Sequence, residues 1–361
     1  MNHFYTLKVA KIQKVTGEAV KITFEIPSSI QDKFKFKQGQ YLNLKFNFGE
    51  EEFRRSYSII DAPSENSQTL SILVKQMENG TISTFLNQNL KENDEVEVQQ
   101  PMGNFCTNYH ASNQKNYIGI AAGSGISPVL SNLKEALFQE PNAKVLLFFG
   151  NKDSQNILLK EELDALKEQF PERFQVTHVL SREPQEDALF EGRITTEKLG
   201  QLLDKNFEIK PEDSTFFICG PTEMIKSTSD FLKKVRKVPA LQVLSEYFSA
   251  PEDGDNAEMS EEFKKIPNLE SFVTLIIDDD EYSIHLNSKK ESILDKALKE
   301  NLPVPFACKG GVCCTCKAQV MEGEVFMEKN FALTEDEVAR GFVLTCQCHP
   351  TTNIVMLNYD V

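Results

Sequence analysis

The chain is short of positive charge. Of its 361 residues, 39 are Lys or Arg and 54 are Asp or Glu, a net charge of −15. Phosphate backbones and anionic membrane surfaces are bound through Lys and Arg, so the deficit argues against nucleic acid and membrane as main partners. No apolar run approaches the ~20 residues that span a bilayer. The first residues carry neither the basic nor the apolar stretch of a secretory leader, and a cytoplasmic location is expected. Internal repeats are absent. Cysteine is nearly missing upstream, where Cys106 and Cys219 stand alone, while six cysteines fall between Cys308 and Cys348. Without a leader, a disulfide framework is not expected, and clustering of this kind suggests a metal.

What is present is ordinary globular material, 40% hydrophobic and 26% charged, enough for two or three domains. The charge is unevenly placed. Residues 250–361 hold 21 acids and 10 bases, so the last third carries −11 of the −15. Such asymmetry marks either a solvated face or a module with its own partner.

Three patterns follow one another. Over 1–112, short β-branched and aromatic runs (TLKVAKIQ, AVKITFEI, QYLNLKF, YSIID, LSILVKQ, DEVEVQQP) alternate with turn residues, which predicts an antiparallel β-barrel with one short helix at TISTFLNQNL. Over 113–249, apolar strands alternate with amphipathic helices, which predicts an α/β domain with a parallel sheet. Residues 250–268 are acidic and small, and read as a linker that lets the last module adjust. From 269 to 361 a hairpin-like pair, a helix and the cysteine loop form a third, α+β domain.

The cysteine loop is the most specific feature. Cys308 and Cys313 are spaced C-x4-C, and Cys313 and Cys316 are spaced C-x2-C, with further thiols downstream. This is the plant-type [2Fe–2S] spacing: a tight loop gives three thiolates and a distant segment the fourth. Structural zinc usually takes two C-x2–4-C knuckles, and a second is lacking here. The fourth ligand is Cys346 or Cys348. The apolar run FVLT ends at Cys346, which favours Cys346. Cys314 reads as a small filler. Gly310 and Gly311 are expected to admit positive φ where the backbone nears the cluster.

Two turns carry nucleotide signatures. Gly123-Ser124-Gly125-Ile-Ser127-Pro128 lies between a strand and a helix, with Ser127 expected as N-cap and Pro128 as the first helical residue. It lacks the third glycine of G-x-G-x-x-G and is weak alone. Cys219-Gly220-Pro221 follows another apolar strand. In the barrel, Arg55-Ser56-Tyr57-Ser58 offers a guanidinium for a diphosphate, an aromatic face for a flavin ring and a hydroxyl for a ring nitrogen, and reads as opening a strand. Two solvated arginines on an exposed strand is the plainer alternative. Gly80-Thr81-Ile-Ser83 is a second phosphate candidate.

In this order the motifs resemble the ferredoxin–NADP reductase superfamily fused to a plant-type [2Fe–2S] ferredoxin of β-grasp fold. Within it the chain is most similar to the reductase subunits of ring-1,2-phenylacetyl-CoA epoxidases, through KGGVC-x-TCK, VLTCQ and GQYLNLKFNFGEEEFRRSYSI. The resemblance implies FAD, a [2Fe–2S] cluster and NADPH or NADH as cofactors, and an oxygenase component as electron acceptor, with a ring-hydroxylating oxygenase or desaturase as the alternative. It implies that Arg55, Gly80, Thr81 and Ser83 bind the FAD pyrophosphate, with Ser56 in the same motif, that Tyr57 lies on the flavin and that Ser58 sits near its reactive nitrogen. It implies that Gly123, Ser124, Gly125 and Ser127 line the dinucleotide turn and that Cys219, Gly220 and Pro221 flank the nicotinamide. Glu246 and Phe248 resemble the segment closing the flavin pocket, with plain boundary packing as the other reading. Ser181 and Arg182 are placed to hold a 2′-phosphate, which leans toward NADPH. Electron transfer between cofactors needs no nucleophile, so the lack of a catalytic triad is expected.

Overall fold

The computed structural model describes residues 3–65, 68–205, 210, 213–250 and 261–361. They divide into two compact units. One holds residues 5–53 and 57–248; the other holds 249–250 and 261–361 with the short pieces 3–4 and 54–56.

The first unit opens with β1 (Phe4–Thr16), β2 (Ala19–Glu25), β3 (Tyr41–Phe48), β4 (Glu51–Ser58), β5 (Thr69–Lys75) and β6 (Glu95–Gln99), in the order β4-β3-β6-β1-β2-β5. A bridge between Ile59 and Ile72 and the bond from Ile60 N–H to the Ser71 carbonyl join the two outer strands. The sheet is therefore closed, as the strand spacing predicted. Alternation sends Val20, Ile22 and Phe24 of β2 inward to meet Leu42, Leu44, Ile72 and Val98. Helix α1 (Thr81–Gln88) buries Ile82 and Leu86, four residues apart on one face. The Arg55–Ser58 segment closes β4 instead of opening a strand, because the hairpin turn lies at 49–50, further upstream than YSIID suggested.

The same unit continues with β7 (Asn116–Ala122), α2 (Ile126–Gln139), β8 (Lys144–Asn151), α3 (Lys160–Gln169), β9 (Phe174–Leu180), α4 (Thr196–Lys205), β10 (Ser214–Cys219), α5 (Thr222–Asp230) and β11 (Val243–Glu246). The five strands are parallel in the order β11-β10-β7-β8-β9. Strand order reverses between β7 and β10, which puts the ligand crevice of an α/β sheet at their carboxyl ends. Both faces of β7 are buried: Ile118 and Ile120 enter one core, Tyr117 and Ala121 the other. Barrel and sheet share that second core, in which Ala19, Ile60, Leu73 and Phe105 pack with α2. Hydrogen bonds cross the seam, all three on Glu140 reaching one carboxylate oxygen while the other is buried without a partner. Asn132 Nδ2 donates to the Phe105 carbonyl (2.9 Å), and Glu140 accepts from His110 N–H, Asn113 Nδ2 and Tyr117 OH (3.0, 2.6 and 2.8 Å). Directional bonds of this kind favour one arrangement of the two halves.

The second unit contains α6 (Glu261–Lys265), β12 (Glu270–Ile277), β13 (Asp280–Asn287), α7 (Ile293–Lys299), β14 (Lys317–Glu322), β15 (Val325–Met327), α8 (Glu335–Ala339), β16 (Phe342–Leu344), β17 (Cys348–Pro350) and β18 (Ile354–Asn358). The main sheet runs β13-β12-β18-β14-β16, with β12 and β18 parallel. Helix α7 is capped by Ser292, whose Oγ accepts from Asp295 N–H at 3.1 Å, and buries Ile293, Leu294 and Ala297 in the core of this module. This is the β-grasp arrangement. Of the expected linker, 251–260 lie outside the described residues. Residues 261–265 are helical, with Phe263 buried against the His349 ring at 4.6 Å and its carbonyl bonded to Lys289 Nζ at 2.6 Å. The acidic composition there concealed an apolar anchor. No helix among the described residues is long and apolar enough to cross a membrane.

Candidate cofactor sites

The cysteine loop runs directly into β14 and is tied to the residue that follows β16. Thr345 N–H and Oγ1 both donate to the Cys316 carbonyl (3.1 and 3.0 Å), and Tyr359 OH donates to Thr345 Oγ1 at 2.8 Å. That brace sets Cys346 beside Cys316, with the Cys316 thiol hydrogen-bonded to Cys346. Cys308 and Cys313 form the other pair, their sulfurs 3.0 Å apart. Among the described residues no three His, Cys, Asp or Glu side chains gather as ligands of a single ion. Two pairs of thiols suit the two irons of a [2Fe–2S] cluster. Backbone N–H groups of Gly310, Val312 and Cys313 point at the Cys308 sulfur; with the Cys313 thiol as the largest influence, they hold Cys308 down at about 6. Such amides favour thiolate.

Cys348 is fully buried on β17, and burial pushes its thiol well up. Cys314 Sγ turns to the Ala332 carbonyl at 3.6 Å. Gly311 takes φ +71°, and a Cβ there would stand 3.0 Å from the Lys329 carbonyl oxygen. Gly310 has no positive φ; Lys309 has one, at 52°. The strained position thus falls one residue before the expected glycine. The bracing roles of Thr345 and Tyr359 were not legible in the sequence, since they depend on long-range partners.

In the first unit, the carboxyl ends of β7, β10 and β11 gather four of the expected residues. Ser58 Oγ donates to Glu246 Oε2 at 3.3 Å. Glu246 pairs in register with Cys219 on the neighbouring parallel strand. A Cβ on Gly125 would lie 2.2 Å from the Cys219 carbonyl oxygen, so only glycine lets these two turns meet. Glu246 as a residue is partly accessible, yet its carboxyl group is enclosed, and burial raises it to about 8 against the lowering bond from Ser58. Cys219 is fully buried, and burial first, then Glu246, pushes its thiol well above the ordinary range.

The dinucleotide turn differs from expectation in its register. Residues 123–125 form a 3₁₀ turn that runs into α2, so Gly125 is the N-cap and Ser127 lies inside the first turn. Ser127 Oγ is buried without a hydrogen-bond partner. Pro128 stays in the first turn, where its missing N–H costs nothing. Gly123 takes φ +55° with open space where a Cβ would sit. Ser124 and Gly220 are half-buried, and Pro221 is exposed as the N-cap of α5.

The remaining residues are less gathered. Arg55 is exposed and donates to the Arg54 carbonyl at 2.7 Å, and Ser56 is half-buried. Tyr57 is half-buried against the barrel core. Gly80 and Thr81 open a cavity of about 360 Å³. Ser83 is buried, with its Oγ used by Met77 N–H (3.0 Å) and the Gly80 carbonyl (3.3 Å), so it shapes the turn. Phe248 is 46% exposed. Ser181 Oγ donates to the Asn151 carbonyl at 3.2 Å, and Arg182 N–H to the Lys152 carbonyl at 2.7 Å. Lys75 and Lys152 stand near Arg182, with Glu18 bonded to Lys152 at 2.9 Å. Burial first, then Lys152, depresses the Lys75 ammonium. Of this cationic corner, Lys75 and Lys152 come from other elements and gave no sequence signal.

Comparison with known proteins accounts for each part. Residues 6–107 match the oxidoreductase FAD-binding domain family, 120–230 the oxidoreductase NAD-binding domain family, and 275–351 the 2Fe-2S iron-sulfur cluster binding domain family. The chain is 37% identical over its full length to a subunit of the 1,2-phenylacetyl-CoA epoxidase of Escherichia coli K12, covering 99% of that protein. It is 28% identical to the ferredoxin reductase component of 3-ketosteroid-9-alpha-monooxygenase from Rhodococcus rhodochrous, over 98% of this chain and 96% of that one. Its fold is similar to phthalate dioxygenase reductase, with a TM-score of 0.59 and 22% identity over 99% and 98% of the two chains. The convergent thiols, the open glycine turn and the cavity at Gly80 suit the cofactors these domains take. The chain is an NAD(P)H oxidoreductase with FAD and a [2Fe–2S] cluster, and it belongs to the reductase family that includes this 1,2-phenylacetyl-CoA epoxidase subunit.

Proposed function

We propose that this protein takes electrons from NADPH and delivers them to the oxygenase component of a phenylacetyl-CoA epoxidase, in the cytoplasm. The observation that carries the acceptor is the 37% identity, across the full length of both chains, to a subunit of that enzyme. When bound, FAD accepts an electron pair from the nicotinamide and the [2Fe–2S] cluster passes electrons on singly. The chain's residues bind and orient these groups. Cys308 and Cys313 would hold one iron, and Cys316 and Cys346 the other. Arg55, Ser56, Gly80 and Thr81 would hold the FAD pyrophosphate, with Ser83 shaping their turn. Tyr57 would cover the flavin ring, with Phe248 closing its pocket. Gly123, Ser124, Gly125 and Ser127 would admit the coenzyme backbone, while Gly220 and Pro221 border the nicotinamide. Glu246 bonds to Ser58 and pairs in register with Cys219, and the three would position the reacting rings; Glu246, neutral below about 8, keeps a proton next to Ser58.

The coenzyme reading draws on the corner of Ser181, Arg182, Lys152 and Lys75. A guanidinium flanked by ammonium groups suits the 2′-phosphate of NADPH. Relatives at 27–28% identity are named for other monooxygenases, which is the setting of the second reading, an oxygenase other than the epoxidase. The test is reconstitution with purified phenylacetyl-CoA epoxidase oxygenase subunits: product formation that depends on this protein and NADPH supports the first reading. Cluster reduction without product, alongside turnover with another oxygenase, supports the second.

A further inference from the structure

Four phenylalanines stand together at the end of β3. The Phe48 ring lies 6.4 Å from Phe46, 5.8 Å from Phe53 and 5.3 Å from Phe85, the last edge-on at 70°. Phe48 remains 36% exposed. Single exposed apolar side chains are common, but this one belongs to a ring cluster that borders an open space.

The open space these rings border suggests an occupant. Phe48 and Phe85 wall the same space of about 360 Å³ that Gly80 and Thr81 open, with Asn79 and Asn89 at its edge. In FAD the group beyond the pyrophosphate is adenosine. The strand supplies the distance: Phe53 precedes Tyr57 by four residues on β4, roughly 13 Å at the usual strand rise. A ring held near Tyr57 and a base held near Phe48 and Phe53 are thus separated by a length that a ribityl diphosphate spans. The amide side chains of Asn79 and Asn89 can meet the edges of a base or the ribose hydroxyls.

We infer that Phe48, backed by Phe85 and Phe53, is the platform for the adenine ring of FAD, and that this contact selects FAD over FMN. The inference rests on Gly80 and Thr81 holding the FAD pyrophosphate. Base–aromatic stacking accounts for about tenfold or more in affinity when the ring is removed.

The test compares flavin binding by the wild type, Phe48→Ala, Phe48→Tyr and Thr81→Val. Each protein is purified with its cluster, whose absorbance reports folding, and flavin release on dilution and rebinding of FAD and FMN are followed by fluorescence. Phe48→Ala should weaken FAD about tenfold and leave FMN unchanged, and Phe48→Tyr should restore FAD. Equal weakening of both flavins, or unchanged FAD binding, would overturn the inference. So would normal FAD binding with slowed electron delivery to the oxygenase, which would make the patch a docking face for that protein. Thr81→Val reports separately: weakened binding of both flavins supports the pyrophosphate reading, and no change in either removes it whatever Phe48 does.

Discussion

Ser58, at the end of a barrel strand, donates its hydroxyl proton to Glu246, at the end of the last strand of the parallel sheet, at 3.3 Å. The bond ties the expected flavin side of the first unit to its nicotinamide side. It also sets a pH dependence. Glu246 is raised to about 8 by burial, so the folded protein holds its proton more tightly than the unfolded chain does. Between about pH 4.5 and 8 the unfolded state releases that proton first, and the folded state loses relative stability as pH rises. From pH 6 to 8 the wild type should therefore lose a few degrees more of melting temperature than Glu246→Gln. Parallel curves would show that the carboxyl is ionised throughout.

The fourth thiolate can be tested by substitution. Cys346→Ser should lose the iron and the visible absorbance of the cluster, because Cys346 is the partner of Cys316. Cys348→Ser should keep both, since that thiol is fully buried on β17. The reverse outcome would move the fourth ligand to Cys348.

Arg182 is the exposed guanidinium of the cationic corner. Arg182→Ala should raise KM for NADPH by about 10- to 100-fold, from the loss of one or two charge-assisted bonds, and leave KM for NADH within about twofold. Equal effects on both coenzymes would place Arg182 away from the 2′-phosphate.

The acidic last third also has a kinetic consequence. Surface charge steers encounter and is screened by salt. Turnover with the oxygenase should fall as ionic strength rises, while reduction of the flavin by NADPH changes less. Equal salt sensitivity of the two steps would leave the charge a matter of solubility.

The cysteine spacing, the strand–helix alternation and the two glycine turns were legible because each is set by local backbone needs. Their details were not. Ser127 carries the residue type of an N-cap, yet the 3₁₀ turn at 123–125 starts the helix earlier. Phe263 looked like part of an acidic linker because its partner, His349, lies 86 positions on. Thr345 and Tyr359 brace the cluster loop, and Lys75 and Lys152 complete the corner at Arg182, only through contacts made in three dimensions. Glu246 was visible through family likeness alone; its enclosure and its bond to Ser58 required the fold.

The central claim is a chain of electron carriers running from NADPH through FAD to a [2Fe–2S] cluster held by Cys308, Cys313, Cys316 and Cys346. Anaerobic titration with NADPH and with NADH, followed by visible absorbance, tests it most directly. The expected result is a yellow-brown protein whose flavin and cluster bands both bleach, at lower concentrations of NADPH than of NADH. A colourless protein, or one whose flavin bleaches while the cluster bands persist, would contradict it.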